Sequence, residues 1–305
     1  MTYLYEAYRI PIISDIELPS LIQSTGLSDT PPIRVVQGVV PASLKEEPLE
    51  RKPFSIFNEN ELLCSIPDVG RYYVCGGNYI CIEPISNNQA EVLLYFYSNC
   101  LAAALLQRNL IPFHVSGVFV APQKVLLFSA SSKVGKSTTA LMLQQKGYQV
   151  FTDDTALLTV KENKVFAQAS YPMLRVWQDA FQQQNIYAES QKETLFNNRN
   201  KYGLSFHKDF VNTEAEVVGL AFLKQEGSEI SIQTLPPLEA IKQLSNNIYR
   251  HQWISGMRKQ KLMLTHLAGI TNHTKMWQAT RPKGIDTFDS FATAIETQII
   301  QAYEY

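Results

Sequence analysis

The chain has little charge and almost no excess of either sign. Charged residues are 18% of the 305, and Lys+Arg 27 against Asp+Glu 28 leave a formal net charge of -1. No global field draws it to nucleic acid or to an anionic membrane surface. Cysteine is also scarce: Cys64, Cys75, Cys81 and Cys100 form no CxxC pair and have no His at zinc-finger spacing, which excludes a small disulfide-stapled or zinc-stapled fold and fits free thiols in a cytoplasmic protein. The start, MTYLYEAYRIPIISDIELP, lacks a basic segment followed by an apolar one, so no secretory signal is expected there. The greasiest run, Val92 to Leu106, is shorter than the roughly 20 residues a bilayer span needs and is interrupted by Ser98 and Asn99. A buried helix is expected, and no membrane partner. What the chain does have is 45% hydrophobic residues with 15 Tyr, 15 Phe and 3 Trp, enough for one large globular domain or two ordinary ones.

Up to about residue 110 the pattern is short apolar runs between turn residues: IRVVQGVV, FSIF, ELLCSI, RYYVCG and YICIEPI. They read as strands of a β-rich α+β domain over 1–110, closed by a helix from Gln89 to Gln107 whose Asn-rich start supplies a cap. Beyond it, VSGVFVAPQKVLLFSA and SSKVGKSTTALMLQQKGYQVFTDDTALLTV alternate strand, loop, helix and strand. That is a βαβ unit and predicts an α/β domain over 111–305. Val125–Phe128 suits a strand buried on both faces, a helix is expected from Ser137 to Lys146, and Gly147 stands where a helix C-terminal glycine belongs. Strands over KVFAQA, VVGLAFL and EISIQTL, and helices over Pro237–Leu244 and Phe288–Tyr303, complete the reading.

The segment Ala130-Ser-Ser-Lys-Val-Gly-Lys-Ser137 follows a buried strand and opens a helix, the context of a phosphate-binding loop. A helix start offers backbone N–H groups and partial positive charge; Lys136 adds a full charge, and the Ser137 hydroxyl suits Mg²⁺. The motif normally has Gly where this chain has Ala130, and many such loops have Gly at the position of Lys133. Alanine is acceptable at 130 only with φ below zero, because its Cβ penalises the left-handed region. Asp153-Asp154 ends the next expected strand, and a right-handed crossover brings two parallel strand ends to one sheet edge. One carboxylate can then hold Mg²⁺ while the other takes a proton from an attacking hydroxyl. If VSGVFV and VLLFSA pair as a hairpin about Pro122 and Gln123, His114 lies opposite Ala130 or Ser131 at the mouth of the loop. Two kinds of feature carry less weight. The basic run Met257–Lys261 reads as a solvated helix face, and Tyr249, Trp253 and Trp277 read as packing residues.

These residues resemble the HPr serine kinase/phosphorylase family, and more closely the HPr-kinase-related proteins of peptide natural-product clusters. The matching segments are PFHVSGVFV, SASSKVGKSTTALMLQQKGYQVFTDD and YPMLRVW. The resemblance implies a P-loop kinase core of the HPr kinase/phosphoenolpyruvate carboxykinase type behind the N-terminal β-rich domain. Carried over residue by residue, it implies ATP on Ser131, Ser132, Lys133, Val134, Gly135, Lys136, Ser137 and Thr138, with Mg²⁺ at Ser137 and Asp154. Asp153 becomes the proton acceptor, His114 and Arg175 become catalytic, and Lys201 becomes a further cation near the transferred group. The glycine-rich segment of the bifunctional members is not found, which favours one-way kinase action.

The expected protein is an ATP- and Mg²⁺-dependent serine kinase. Its expected acceptor is a peptide or small protein bearing a serine, for instance a ribosomally made precursor peptide, gripped edge-on by exposed aromatics such as Tyr72 and Tyr73 of the first domain. A homo-oligomer stays open. The alternatives are a nucleotide-binding regulatory or carrier protein with a degenerate loop and little turnover, motivated by Ala130 and Lys133, and an NTPase acting on water.

Overall fold

The computed structural model describes residues 1–24, 29–131, 134–177, 192–194 and 201–303. The chain is a mixed α/β protein built on two nine-stranded sheets. It divides into two compact units that interleave in sequence: Met1–Pro112 with Thr194–Lys201 and Arg250–Met263, and Phe113–Glu193 with Tyr202–Tyr249 and Leu264–Tyr305.

In the first unit all five apolar runs become strands: Ile33–Gln37, Ser55–Phe57, Glu61–Ile66, Gly70–Cys75 and Tyr79–Pro84. The helix follows as one continuous rod, Gln89–Gln107, with the Asn88 side chain accepting from the Glu91 N–H at its start. At 19 residues it is long and apolar enough to cross a membrane, yet 72% of its most apolar stretch is buried inside the protein. A π turn, Phe96–Cys100, lies at its centre with all five residues buried.

Tyr72 and Tyr73 are 0% and 3% exposed, which corrects their reading as exposed peptide-gripping aromatics. The Tyr72 hydroxyl donates to the Val92 carbonyl at 2.9 Å, and that of Tyr73 donates to the buried Glu61 carboxylate. Glu61 also accepts from the Lys45 and Glu46 N–H groups, both at 3.1 Å, and from the Asn58 amide at 3.2 Å. Burial pushes its carboxyl up, but these donors, Tyr73 first among them, outweigh burial and hold it below the usual range. The basic run is solvated only in part: Arg258, Gln260 and Lys261 are exposed, whereas Lys259 is 4% exposed and donates to Asn109 at 2.8 Å. Trp253 packs on Phe57, as expected of a core residue.

In the second unit the hairpin forms as expected. Val115–Ala121 pairs with Lys124–Ser129 in the register Val115↔Ser129, and Gln123 takes φ 56 to close the turn. Lys124–Ser129 runs parallel to the 12-residue strand Glu214–Gln225, which runs parallel to Lys275–Arg281. Three strand ends therefore reach one edge of the sheet. The helix Lys136–Gln145 leaves that edge, and Gly147 follows it with φ 99. Val150–Thr152 then re-enters beside Val115–Ala121 rather than beside Lys124–Ser129, so an antiparallel strand separates the two parallel ones of the βαβ unit. The helix Phe288–Ile295 and its continuation to Tyr303 pack their apolar face, Phe291, Ala292, Ile295 and Ile299, into one core with Ala140, Met142 and Leu143.

Glu61→Ala leaves several buried donors without an acceptor and should lower stability by roughly 2–4 kcal/mol, whereas Tyr73→Phe, which removes one of four donors, should cost about 1 kcal/mol. Thermal denaturation of the two variants checks the order. Because the folded carboxyl lies low, this contribution is present above the unfolded carboxylate range and is lost as pH falls through the folded value.

Candidate active site

The loop that follows Ser129 is defined by where its carbonyls go. The Ala130 oxygen accepts from Lys136 Nζ at 2.8 Å, the Ser131 oxygen from the Val134 N–H at 3.4 Å, and the Gly135 oxygen from the Thr139 N–H at 2.8 Å. The Val134 oxygen accepts from Arg281 Nη2 at 3.2 Å. Four loop carbonyls are thereby turned to partners inside the protein, and the loop leads directly into the first turn of the helix, where a helix has no acceptors of its own for its N–H groups. Ser132 and Lys133 lie outside the described residues.

Ala130 is 4% exposed, does not take a positive φ, and its methyl group lies in the apolar core. The condition for replacing the first motif glycine is met. Gly135 is the position that needs glycine, for its φ is 115 and a methyl group there would stand 2.8 Å from Phe288 Cε1. Lys136 and Thr138 are buried at 7% and 6% exposure.

The paired acids do arrive beside this loop. Asp153, 2% exposed, accepts from Ser137 Oγ on both carboxylate oxygens, at 2.9 and 3.0 Å, and from the buried Ser116 hydroxyl. The contacting hydroxyl–carboxylate pair is thus Ser137 with Asp153, whereas Asp154 was the acid expected to share Mg²⁺ with Ser137. Asp154 has φ 75, a strained conformation that Asp tolerates better than most residues. Its carbonyl lies 2.6 Å from His114 Nδ1 and its carboxylate 3.6 Å from the same nitrogen.

His114 sits one residue beyond the Val115↔Ser129 pair, hence opposite Ala130 as the hairpin predicts. Its backbone N–H donates to the Asn247 carbonyl at 2.7 Å, and its ring lies 5.9 Å from that of Tyr249. Tyr249, read as packing, therefore borders the site. Burial and the neighbouring Lys136 push the His114 imidazole below its ordinary 6.5, against the opposing pull of Asp154. The neutral form of the ring is thereby favoured. A carbonyl oxygen can only accept, so Nδ1 carries the proton and Nε2 is the acceptor.

The other two expected cations are located by their backbone alone. Arg175 lies on the strand Met173–Trp177 and Lys201 begins the strand Lys201–Ser205, but the side chains of both lie outside the described residues. Two neighbours escaped the sequence reading. Ser116 is two residues from His114, which directly precedes its strand Val115–Ala121, so an extended backbone with period-two alternation sets the two toward the same face. Arg281 is distant in sequence from the loop it touches and carried no local signal.

A hydroxyl and a carboxylate in contact form an all-oxygen donor set, which suits a hard cation. Among the described residues no group of three or more His, Cys, Asp or Glu side chains converges. The Ser137–Asp153 pair fits Mg²⁺, which binds through one or two protein oxygens and completes its shell with water and phosphate. The cluster combines a helix entrance, a buried lysine, a hydroxyl–carboxylate pair and an adjacent imidazole.

No protein-family model and no curated protein matches the chain. Among solved structures, the chain is similar to the Hpr(Ser) kinase/phosphatase from Coxiella burnetii, with 12% identity over 63% of this chain and 98% of that one and a TM-score of 0.33.

Gly135→Ala should lower stability by about 1–3 kcal/mol, because the left-handed region costs about 1–2 kcal/mol and the Phe288 ring must move. Thermal denaturation reads it. For His114, a folded value below the unfolded 6.5 means that stability is full above 6.5 and falls as pH drops below it. Wild type should thus lose more melting temperature between pH 7.5 and about 5.5 than His114→Gln does.

Proposed function

We propose that the protein is an ATP- and Mg²⁺-dependent kinase that transfers the γ-phosphoryl group to a serine hydroxyl of a peptide or small protein. The observation that carries the reading is the joint position of Lys136, Ser137 and Asp153 at a helix entrance, with Ser137 Oγ within 3.0 Å of both Asp153 oxygens. A helix start with its four described loop carbonyls turned to internal partners favours an anion, and Lys136 can exchange the Ala130 carbonyl for a phosphate oxygen. The resemblance to HPr-kinase-related sequences supplies the reaction class and the acceptor class.

In this reading the loop from Ser131 to Thr138 binds the phosphates, and Lys136 neutralises charge on the transferring group. Mg²⁺, when bound, supplies charge neutralisation on the phosphate oxygens. The serine oxygen forms a bond to the γ-phosphorus, the bond to the bridging oxygen of ADP breaks, and the serine proton passes to a carboxylate of the Asp153–Asp154 pair. The resemblance gives the proton to Asp153 and the metal to Asp154. The Ser137–Asp153 contact supports the opposite division, with Asp153 on the metal side and Asp154, held by His114, facing the acceptor. His114 Nε2, the unprotonated nitrogen of the neutral ring, accepts a hydrogen bond from the acceptor hydroxyl or its attached amide and so orients it. Arg175 is assigned to charge on the transferring group from the resemblance alone.

The second reading, a nucleotide-binding protein with little turnover, drew on the missing loop glycines. Ala130 no longer favours it, since its backbone and its methyl group are both accommodated.

Radiolabelled ATP with candidate serine peptides is the test. Lys136→Ala should lower transfer by about 10²-fold or more. If the contact-based division holds, Asp153→Asn raises the Mg²⁺ concentration needed for half-maximal transfer, while Asp154→Asn lowers kcat with the Mg²⁺ dependence unchanged. Equal labelling by wild type, Lys136→Ala and Asp153→Asn overturns the kinase reading. Binding of Mg·ATP without transfer to any peptide returns the protein to the carrier class.

A further inference from the structure

Arg281 is 4% exposed and closes the strand Lys275–Arg281, in register with Gln225 at the end of Glu214–Gln225. That register carries it past the end of the loop-bearing strand, whose last residue, Ser129, aligns with Phe222. It thus arrives beside the loop rather than beneath it. Its guanidinium donates to the Val134 carbonyl at 3.2 Å, lies 3.9 Å from the centroid of the Phe288 ring, and takes the Gln225 amide oxygen at 3.2 Å from Nη1 with that amide in its hydrogen-bonding orientation. Phe288 in turn fills the space against Gly135 that a Cβ would need.

Two consequences follow from electrostatics. A carbonyl directed at a phosphate repels it, and the Val134 oxygen is occupied by a cation's N–H instead. A buried charge ordinarily has an oppositely charged partner in contact. Among the described residues no carboxylate lies within ion-pair distance of Arg281, and Asp286 acts on it only at longer range. Its positive charge therefore adds to the field of the helix start instead of being cancelled locally.

We infer that Arg281 is a positioning residue for phosphate binding: it holds Val134 and Gly135 of the loop in their anion-accepting form, braces Phe288 against Gly135, and supplies a buried positive charge behind the loop. This rests on reading that loop as the site of a nucleotide's phosphates. Arg281 itself touches neither phosphate nor acceptor; it acts through Val134 and Gly135.

Calorimetry with Mg·ADP and with inorganic pyrophosphate tests it on wild type, Arg281→Ala and Arg281→Lys, with circular dichroism as the check of folding. Arg281→Ala should weaken Mg·ADP binding by about 10- to 100-fold, the worth of a charged hydrogen bond, and millimolar guanidinium should restore most of that loss. A purely structural defect is not repaired by a small denaturing cation. Arg281→Lys keeps the charge but not the planar fork, so its affinity should fall between the two. If Arg281→Ala does not fold, Arg281→Lys is read alone, and weakened binding is required of it. Wild-type affinity in a folded Arg281 variant, or no recovery with guanidinium, overturns the inference and leaves the phosphate site standing. Absence of Mg·ADP and pyrophosphate binding by the wild type overturns both together.

Discussion

The tie between Asp153 and two serine hydroxyls is the interaction on which the site depends. Ser116 comes from the hairpin strand, Ser137 from the helix that leaves the loop, and Asp153 from the end of the strand that re-enters the sheet. One carboxylate with almost no exposure joins three separate elements. Burying a carboxylate without donors would cost several kcal/mol, so the hydroxyls are part of what lets it sit there. The same oxygens that satisfy it in the fold are the ones a hard cation would claim.

The loop illustrates how a backbone is prepared for an anion without an abundance of glycine. A glycine is needed where φ is positive, at Gly135, and is dispensable where the residue points into the core, at Ala130. What replaces conformational freedom is accounting for carbonyls: a lysine, two backbone N–H groups and an arginine take the four described ones. The C-terminal helix contributes from behind, since Phe288 meets Gly135 and its later turns share a core with the helix that the loop opens.

Much of this was legible in sequence, for physical reasons that differ by element. Continuous apolar runs such as Val125–Phe128 report burial on both faces, so the loop-bearing strand and its helix were read almost to the residue. The hairpin about Pro122 and Gln123 was found from the two strands rather than from its turn. The opening hairpin, Tyr3–Ala7 with Ile10–Ser14, was not found, because its turn places Tyr8 and Arg9 at φ 53 and 58 in place of the usual Asn or Gly. Alternation alone cannot tell a core tyrosine from a surface one, and Tyr73 shows why: its hydroxyl is buried because Glu61 is there to receive it. Contacts that join distant segments, such as Arg281 on the Val134 carbonyl, depend on sheet register and have no local signature. The division of labour between Asp153 and Asp154 is of the same kind, because neighbours in sequence part company when one of them turns to φ 75.

The 12-residue strand Glu214–Gln225 exchanges partners along its length. It begins against Lys164–Ala169, runs alongside the loop-bearing strand, and ends against Lys275–Arg281. It therefore works as a shared ruler between the loop and the arginine that flanks it. Inserting a single residue between Gln278 and Arg281 would leave the pairs from Gly219↔Lys275 to Phe222↔Gln278, and Ser129 in its ladder, in place, but push Arg281 about 3.4 Å along its strand and reverse the face its side chain meets. The guanidinium would then be carried out of reach of Val134 while every residue of the loop itself stayed unaltered.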